Sequence, residues 1–149
     1  MLKSIIDEEF IQLNVSASDW KEAIKKAAEP LVIKEKITKE YVNKIIEIAK
    51  ETGPYIVIAK NIALPHAPTE YGGNQTAMGI SVLTNPVEFG NKENDPVKYL
   101  FTFVASDNES HLEALSELVM LLEDETFFEL LNKTTNKKEI LSYINDIKI

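Results

Sequence analysis

Three short apolar runs constrain this chain more than anything else in it: Tyr55–Ala59, Met78–Leu83 and Tyr99–Ala105, none with an internal charge. Each is rich in β-branched or aromatic residues and bounded by turn formers, the pattern of a strand buried on both faces. Such strands need cover on both sides, and helices supply it. The flanking sequence contains the helices. Ser16-Ala17-Ser18-Asp19 offers N-cap residues for a helix reaching about Val32, with Trp20, Ala23, Ile24, Ala27 and Leu31 at helical spacing. Pro30 lies inside that pattern and predicts a kink or an early end. Thr38 caps a second helix that carries Tyr41, Ile45 and Ile48 and stops at Gly53-Pro54.

Residues 10–15 show a weak two-residue period that places Ile11, Leu13 and Val15 on one side of a first strand. Gly72-Gly73, Asn85-Pro86 and Gly90-Asn91 predict turns between the later strands. Beyond Asp107-Asn108 the helical period returns, with Leu112, Leu115, Leu118, Val119 and Leu122 predicted as one buried face. A shorter helix follows around 127–131, and a last one over about 136–146 faces inward through Ile140, Leu141 and Ile144. The predicted fold is α/β: a three-layer α/β/α single domain over residues 1–149, its small mixed sheet covered by helices on both faces. A chain of 149 residues buries roughly 68–70% of its unfolded surface and needs no staple to fold.

Composition narrows the chemistry. The chain has no cysteine, which excludes disulfides, thiolate nucleophiles and cysteine-bound zinc. No run approaches the 18 or so apolar residues of a membrane helix, and the N-terminus turns acidic too early for a signal peptide. The chain is expected to be cytoplasmic, with no direct membrane insertion. A net charge of −8 disfavours nucleic acid as a partner. All 16 basic residues are lysine. Without arginine's bidentate fork, a bound anion must be held by backbone N–H groups, hydroxyls, histidine or lysine.

Only two histidines exist. His66 stands between Pro65 and Pro68, which fix the backbone and prevent regular strand pairing, a way to hold an imidazole at a strand end. His111 follows Ser110, whose spacing to Glu113 fits a capping box. With Ser110 as the cap, His111 would lie among free N–H groups at the positive end of a helix. A histidine at the mouth of such an anion site can take up a phosphoryl group as a nucleophile, while the second histidine bonds its oxygens. Neither histidine has metal-ligand spacing, so neither a metal nor another cofactor is expected.

The stretch Gly53–Ala59 with Ile62-Ala63-Leu64-Pro65-His66-Ala67 resembles the active-site segment of enzyme IIA components of the bacterial sugar phosphotransferase system. The type is fructose/mannitol, with the ascorbate-like and galactitol-like branch nearest. Pro86–Gly90, Asn94–Val97 and Asp107–Leu112 follow the family pattern in the same order. The resemblance implies a three-layer α/β/α domain. It implies that His66 accepts phosphate from the histidine-containing phosphocarrier protein, that His111 supports the group, and that an enzyme IIB component is the next acceptor. The ascorbate-like branch has Pro-His-Ala-Arg where Pro68 follows Ala67 here, and some relatives carry an arginine near Lys50. Lys50 or Lys60 is expected to stand in as a point charge, with Ser110 as a further phosphate ligand. The alternative reading is a phosphohistidine switch that controls a partner protein without feeding a permease. Pull-downs with phosphorylated and unphosphorylated chain separate the two.

Overall fold

The computed structural model describes residues 1–147. Five strands, β1 (Ile11–Val15), β2 (Val57–Ala59), β3 (Ile62–Ala63), β4 (Ala77–Val87) and β5 (Val97–Val104), form one sheet in the order β1-β4-β5-β3-β2. β4 and β5 pair antiparallel, as do β2 and β3, whereas β1 with β4 and β3 with β5 are parallel. The helices are α1 (Leu2–Ile5), α2 (Trp20–Ile33), α3 (Lys39–Thr52), α4 (Asn108–Leu122), α5 (Glu125–Lys133) and α6 (Lys137–Asp146). Short 3-10 turns occupy Glu8–Phe10 and Thr69–Tyr71.

The central strands carry apolar side chains on both faces because alternate residues enter two cores. Met78, Ile80 and Val82 of β4 join Tyr99, Phe101 and Phe103 of β5 beneath α1, α4, α5 and α6. Ala77, Leu83, Leu100 and Val104 point the other way, beneath α2 and α3. The predicted three-layer α/β/α arrangement is therefore what the chain adopts.

Four local differences from the sequence reading have physical causes. Asn14 takes a left-handed φ of 59°, which breaks the alternation of β1, so Ile11 enters one core and Val15 the other. Pro30 does not end α2, which continues to Ile33. Its missing N–H leaves the Lys26 carbonyl without a helical donor, and the Gln12 side-chain amide supplies one at 2.9 Å. Asn85-Pro86 lies within β4, where the register to β5 shifts between Val82 and Val87 and no ladder donor is demanded of the proline. Along α4 the buried residues are Ala114, Leu118 and Leu121, while Leu112 and Val119 are exposed. Leu118 is buried as expected and Leu115 and Leu122 pack partly buried against the core, so the buried face turns only partway, toward Ala114 and Leu121.

Gly72 closes the turn that leads from the His66 segment into β4. Its φ is 116°, and a Cβ there would lie 2.0 Å from the hydroxyl of Thr38, the N-cap of α3. Thr38 N–H also donates to the Gly72 carbonyl at 3.0 Å. Gly72→Ala combines a disfavoured φ with displacement of a cap, and a loss of about 1–3 kcal/mol in urea unfolding is expected.

Candidate functional site

β3 ends at Ala63, but its backbone continues alongside β5. Phe103 N–H donates to the Pro65 carbonyl at 2.9 Å. One step further the two chains part, and the Tyr41 hydroxyl fills the gap. It donates to the Phe103 carbonyl at 2.8 Å and accepts from Ala67 N–H at 3.1 Å. Tyr41 is 1% exposed, and burial pushes its hydroxyl up to about 12, so the proton needed for this bridge stays on. The Tyr55 hydroxyl donates to the His66 carbonyl, and Thr69 Oγ1 ties the following turn to the Ala105 carbonyl at 2.5 Å. The segment carrying His66 is thus held by α3, the stretch before β2 and the end of β5.

The imidazole itself is oriented from one side. His66 Nδ1 lies 2.6 Å from the Leu64 carbonyl. A carbonyl only accepts, so Nδ1 carries the proton and Nε2 keeps its lone pair. Tyr55 packs edge-on against the ring at 5.4 Å between centroids. Burial pushes the His66 pKa below its ordinary value; the Leu64 carbonyl opposes this and the nearby His111 adds to it. The net direction favours the neutral ring.

His111 stands across the same cleft, which has a volume of about 670 Å³, and its ring packs against Phe103 at 5.8 Å. The two histidines, far apart in sequence, are brought together because β3 and β5 are neighbours and α4 starts just beyond the end of β5.

The cap of α4 is Asp107, not Ser110. The Asp107 carboxylate accepts Ser110 N–H at 2.7 Å and the Ser110 hydroxyl at 3.0 Å, and these bonds hold it below the usual carboxylate range. Both polar groups of Ser110 are spent on this cap, and Ser110 does not line the cleft. His111 is the fourth helical residue, with its N–H bonded to the Asp107 carbonyl at 3.1 Å. The helix end is therefore occupied by its own carboxylate. Ser110 was chosen by its spacing to Glu113, but an aspartate three residues ahead offers two acceptors and wins the position.

Lys50 and Lys60 do not line the cleft either. Lys50 borders a separate cavity with Trp20, Gly53 and Phe89, close enough to Lys21 to push that ammonium below its ordinary value. Lys60 sits in the β2–β3 turn, its Nζ 3.5 Å from the Glu93 carbonyl. Tyr41 and Tyr55 were missed as site residues. A tyrosine within the otherwise aliphatic stripe of α3 was the available signal, because a buried hydroxyl demands partners.

The His66 shift carries a sign that can be checked. Uptake of an electrophile at Nε2 should rise with pH through a midpoint below 6.5 and be flat above about pH 7. Because the folded pKa is lowered, the stabilisation is present above the unfolded value and is lost as pH falls through 6.5 toward the folded one. A single-turnover rate profile and an NMR titration of the ring test both statements.

An imidazole tied at Nδ1 to a carbonyl shares this cleft with a second imidazole. Residues 4–147 match the family model for the phosphoenolpyruvate-dependent sugar phosphotransferase system, EIIA 2, and the chain belongs to that family of phosphotransferase components. It is 34% identical over 143 residues to the ascorbate-specific phosphotransferase system EIIA component of Escherichia coli K12, covering 95% of this chain and 93% of that one. The solution structure of the E. coli mannitol-specific cryptic phosphotransferase enzyme IIA superposes with a TM-score of 0.84 at 34% identity, over 96% of this chain and 99% of that one. The E. coli mannitol enzyme IIA in its complex with phosphorylated mannitol enzyme IIB gives a TM-score of 0.76 at 27% identity, over 93% and 99%. The chain is a sugar-specific enzyme IIA component, a carrier of phosphoryl groups.

Proposed function

We propose that His66 Nε2 is the phosphoryl acceptor of this carrier, with His111 as the residue that supports the group without carrying it. The observation that carries this is the bond from Nδ1 to the Leu64 carbonyl, which leaves Nε2 as the only nucleophilic nitrogen of the ring. The phosphorus–nitrogen bond of a donor phosphohistidine breaks as the bond to Nε2 forms. The donor imidazole regains its lone pair, and Nδ1 keeps its proton throughout. The positive charge that develops on the His66 ring is met by the Leu64 carbonyl oxygen. Nothing in the step requires a cofactor.

The donor is the histidine-containing phosphocarrier protein, and the acceptor is an enzyme IIB component that feeds a sugar permease. The complex formed by the mannitol relative supports that acceptor. The work is done in the cytoplasm by one domain spanning residues 1–149, and among the described residues no helix is long and apolar enough to cross a membrane.

The test is intact-mass analysis of the chain incubated with phosphoenolpyruvate, enzyme I and the phosphocarrier protein, followed by addition of IIB candidates. One acid-labile phosphoryl group per chain, correlated by NMR with Nε2 of His66 and discharged onto IIB, is the expected result. Phosphate on Nδ1 or on another residue would overturn the assignment. A phosphorylated chain that binds a partner yet discharges to no IIB would favour the switch.

A further inference from the structure

The cleft has an electrostatic problem. Apart from the two histidines, the charged side chains that line it are Glu70 and Asp107, both acidic. A phosphoryl dianion on His66 would meet two carboxylates and no lysine, and neither Lys50 nor Lys60 lines the cleft to change that.

α3 carries the answer on another turn. Tyr41 and Ile48 both line the cleft, and Lys44 lies three residues after one and four before the other, so the three share a helix face. Lys50, two residues past Ile48, is on the opposite face. The Lys44 ammonium rests 4.3 Å from the centroid of the Tyr71 ring. Tyr71 ends the turn whose first two residues, Thr69 and Glu70, line the cleft. The Lys44 ion pair is with Glu47 at 3.4 Å, three residues along the same helix, and the Glu47 side chain is 55% exposed. The Lys44 side chain is itself 22% exposed, and its pair with exposed Glu47 is of the weak kind that a flexible side chain leaves readily. Lysine's long stem suits a charge that waits at a rim and moves in when an anion arrives.

We infer that Lys44 is the cation that serves the phosphoryl group on His66, moving from the Tyr71 face to its oxygens. This rests on the carrier reading above. Tyr71 is the resting place.

The experiment uses the full chain as wild type, Lys44→Gln and Lys44→Arg. Phosphoryl uptake is followed from the phosphocarrier protein and from phosphoramidate, a donor with no protein surface. Lys44→Gln should slow uptake from both donors by about 10- to 100-fold with an unchanged melting midpoint, and Lys44→Arg should restore most of the rate. A defect confined to the protein donor would make Lys44 a docking residue and overturn the inference, as would wild-type rates with phosphoramidate. Inorganic phosphate is also titrated into the unphosphorylated proteins while the His66 ring resonances are followed. Weaker phosphate binding by Lys44→Gln supports the inference, and equal binding overturns it. This arm is read even if the wild type takes up no phosphoryl group, a result that would sink the carrier reading instead.

Discussion

His66→Ala is expected to abolish phosphoryl capture while the chain remains folded. The segment around position 66 is held by bonds that do not involve the imidazole. Pro65 bonds to β5 through its carbonyl, Ala67 bonds to Tyr41 through its N–H, and the Tyr55 hydroxyl reaches the residue 66 carbonyl. Removing the ring deletes the Nδ1 bond to the Leu64 carbonyl and the edge contact with Tyr55, a loss of about 0.5–1.5 kcal/mol. Catalytically the loss is complete, because no other residue in the cleft offers an oriented imidazole nitrogen except His111. Intact mass should show no acid-labile phosphate on His66→Ala, and circular dichroism should show a native melt. His111→Ala should still be phosphorylated, at a lower rate. Should His66→Ala still gain phosphate and His111→Ala gain none, the two roles are reversed.

Tyr41→Phe is expected to be the more damaging change to the fold. Its hydroxyl stands where two parallel chains would otherwise exchange a ladder bond, satisfying the Phe103 carbonyl and the Ala67 N–H together, with the Ala67 carbonyl also 3.1 Å away. Phenylalanine keeps the packing and removes one oxygen, leaving buried backbone groups without partners. Each such group costs roughly 1–3 kcal/mol, and a total near 2–4 kcal/mol is expected in urea unfolding. Uptake at His66 should slow as well, because the next residue has lost its anchor. A stability change below about 0.5 kcal/mol would show that water replaces the hydroxyl there.

The layered architecture was legible in the sequence because strands apolar on both faces admit few other solutions. Thr38 was readable as a cap, and of the N-cap candidates in Ser16–Asp19 the fold uses Asp19; the two accept from the N–H groups of Tyr41 and Glu22. Both histidines were legible too, from their local settings, and the cleft does bring them together. What stayed hidden depended on competition or on contacts distant in the chain. Asp107 displaced Ser110 as a cap through better acceptors, and the buried face of α4 centres on Ala114, Leu118 and Leu121, with Leu112 and Val119 left exposed. The electrostatics were hidden for a similar reason. Lys50 and Lys60 follow from the absence of arginine and from where relatives carry one, whereas helix phase puts Lys50 on the wrong side of α3 and Lys60 lies in the β2–β3 turn.

The Tyr41 bridge also has a mechanical side. A single oxygen, braced on a helix, rivets the backbone of Ala67 to that of Phe103 at the point where two strands fork. The position of the reactive ring is therefore referenced to α3 as well as to the sheet. Any displacement of that helix is passed to the ring through the rivet more directly than along the intervening backbone.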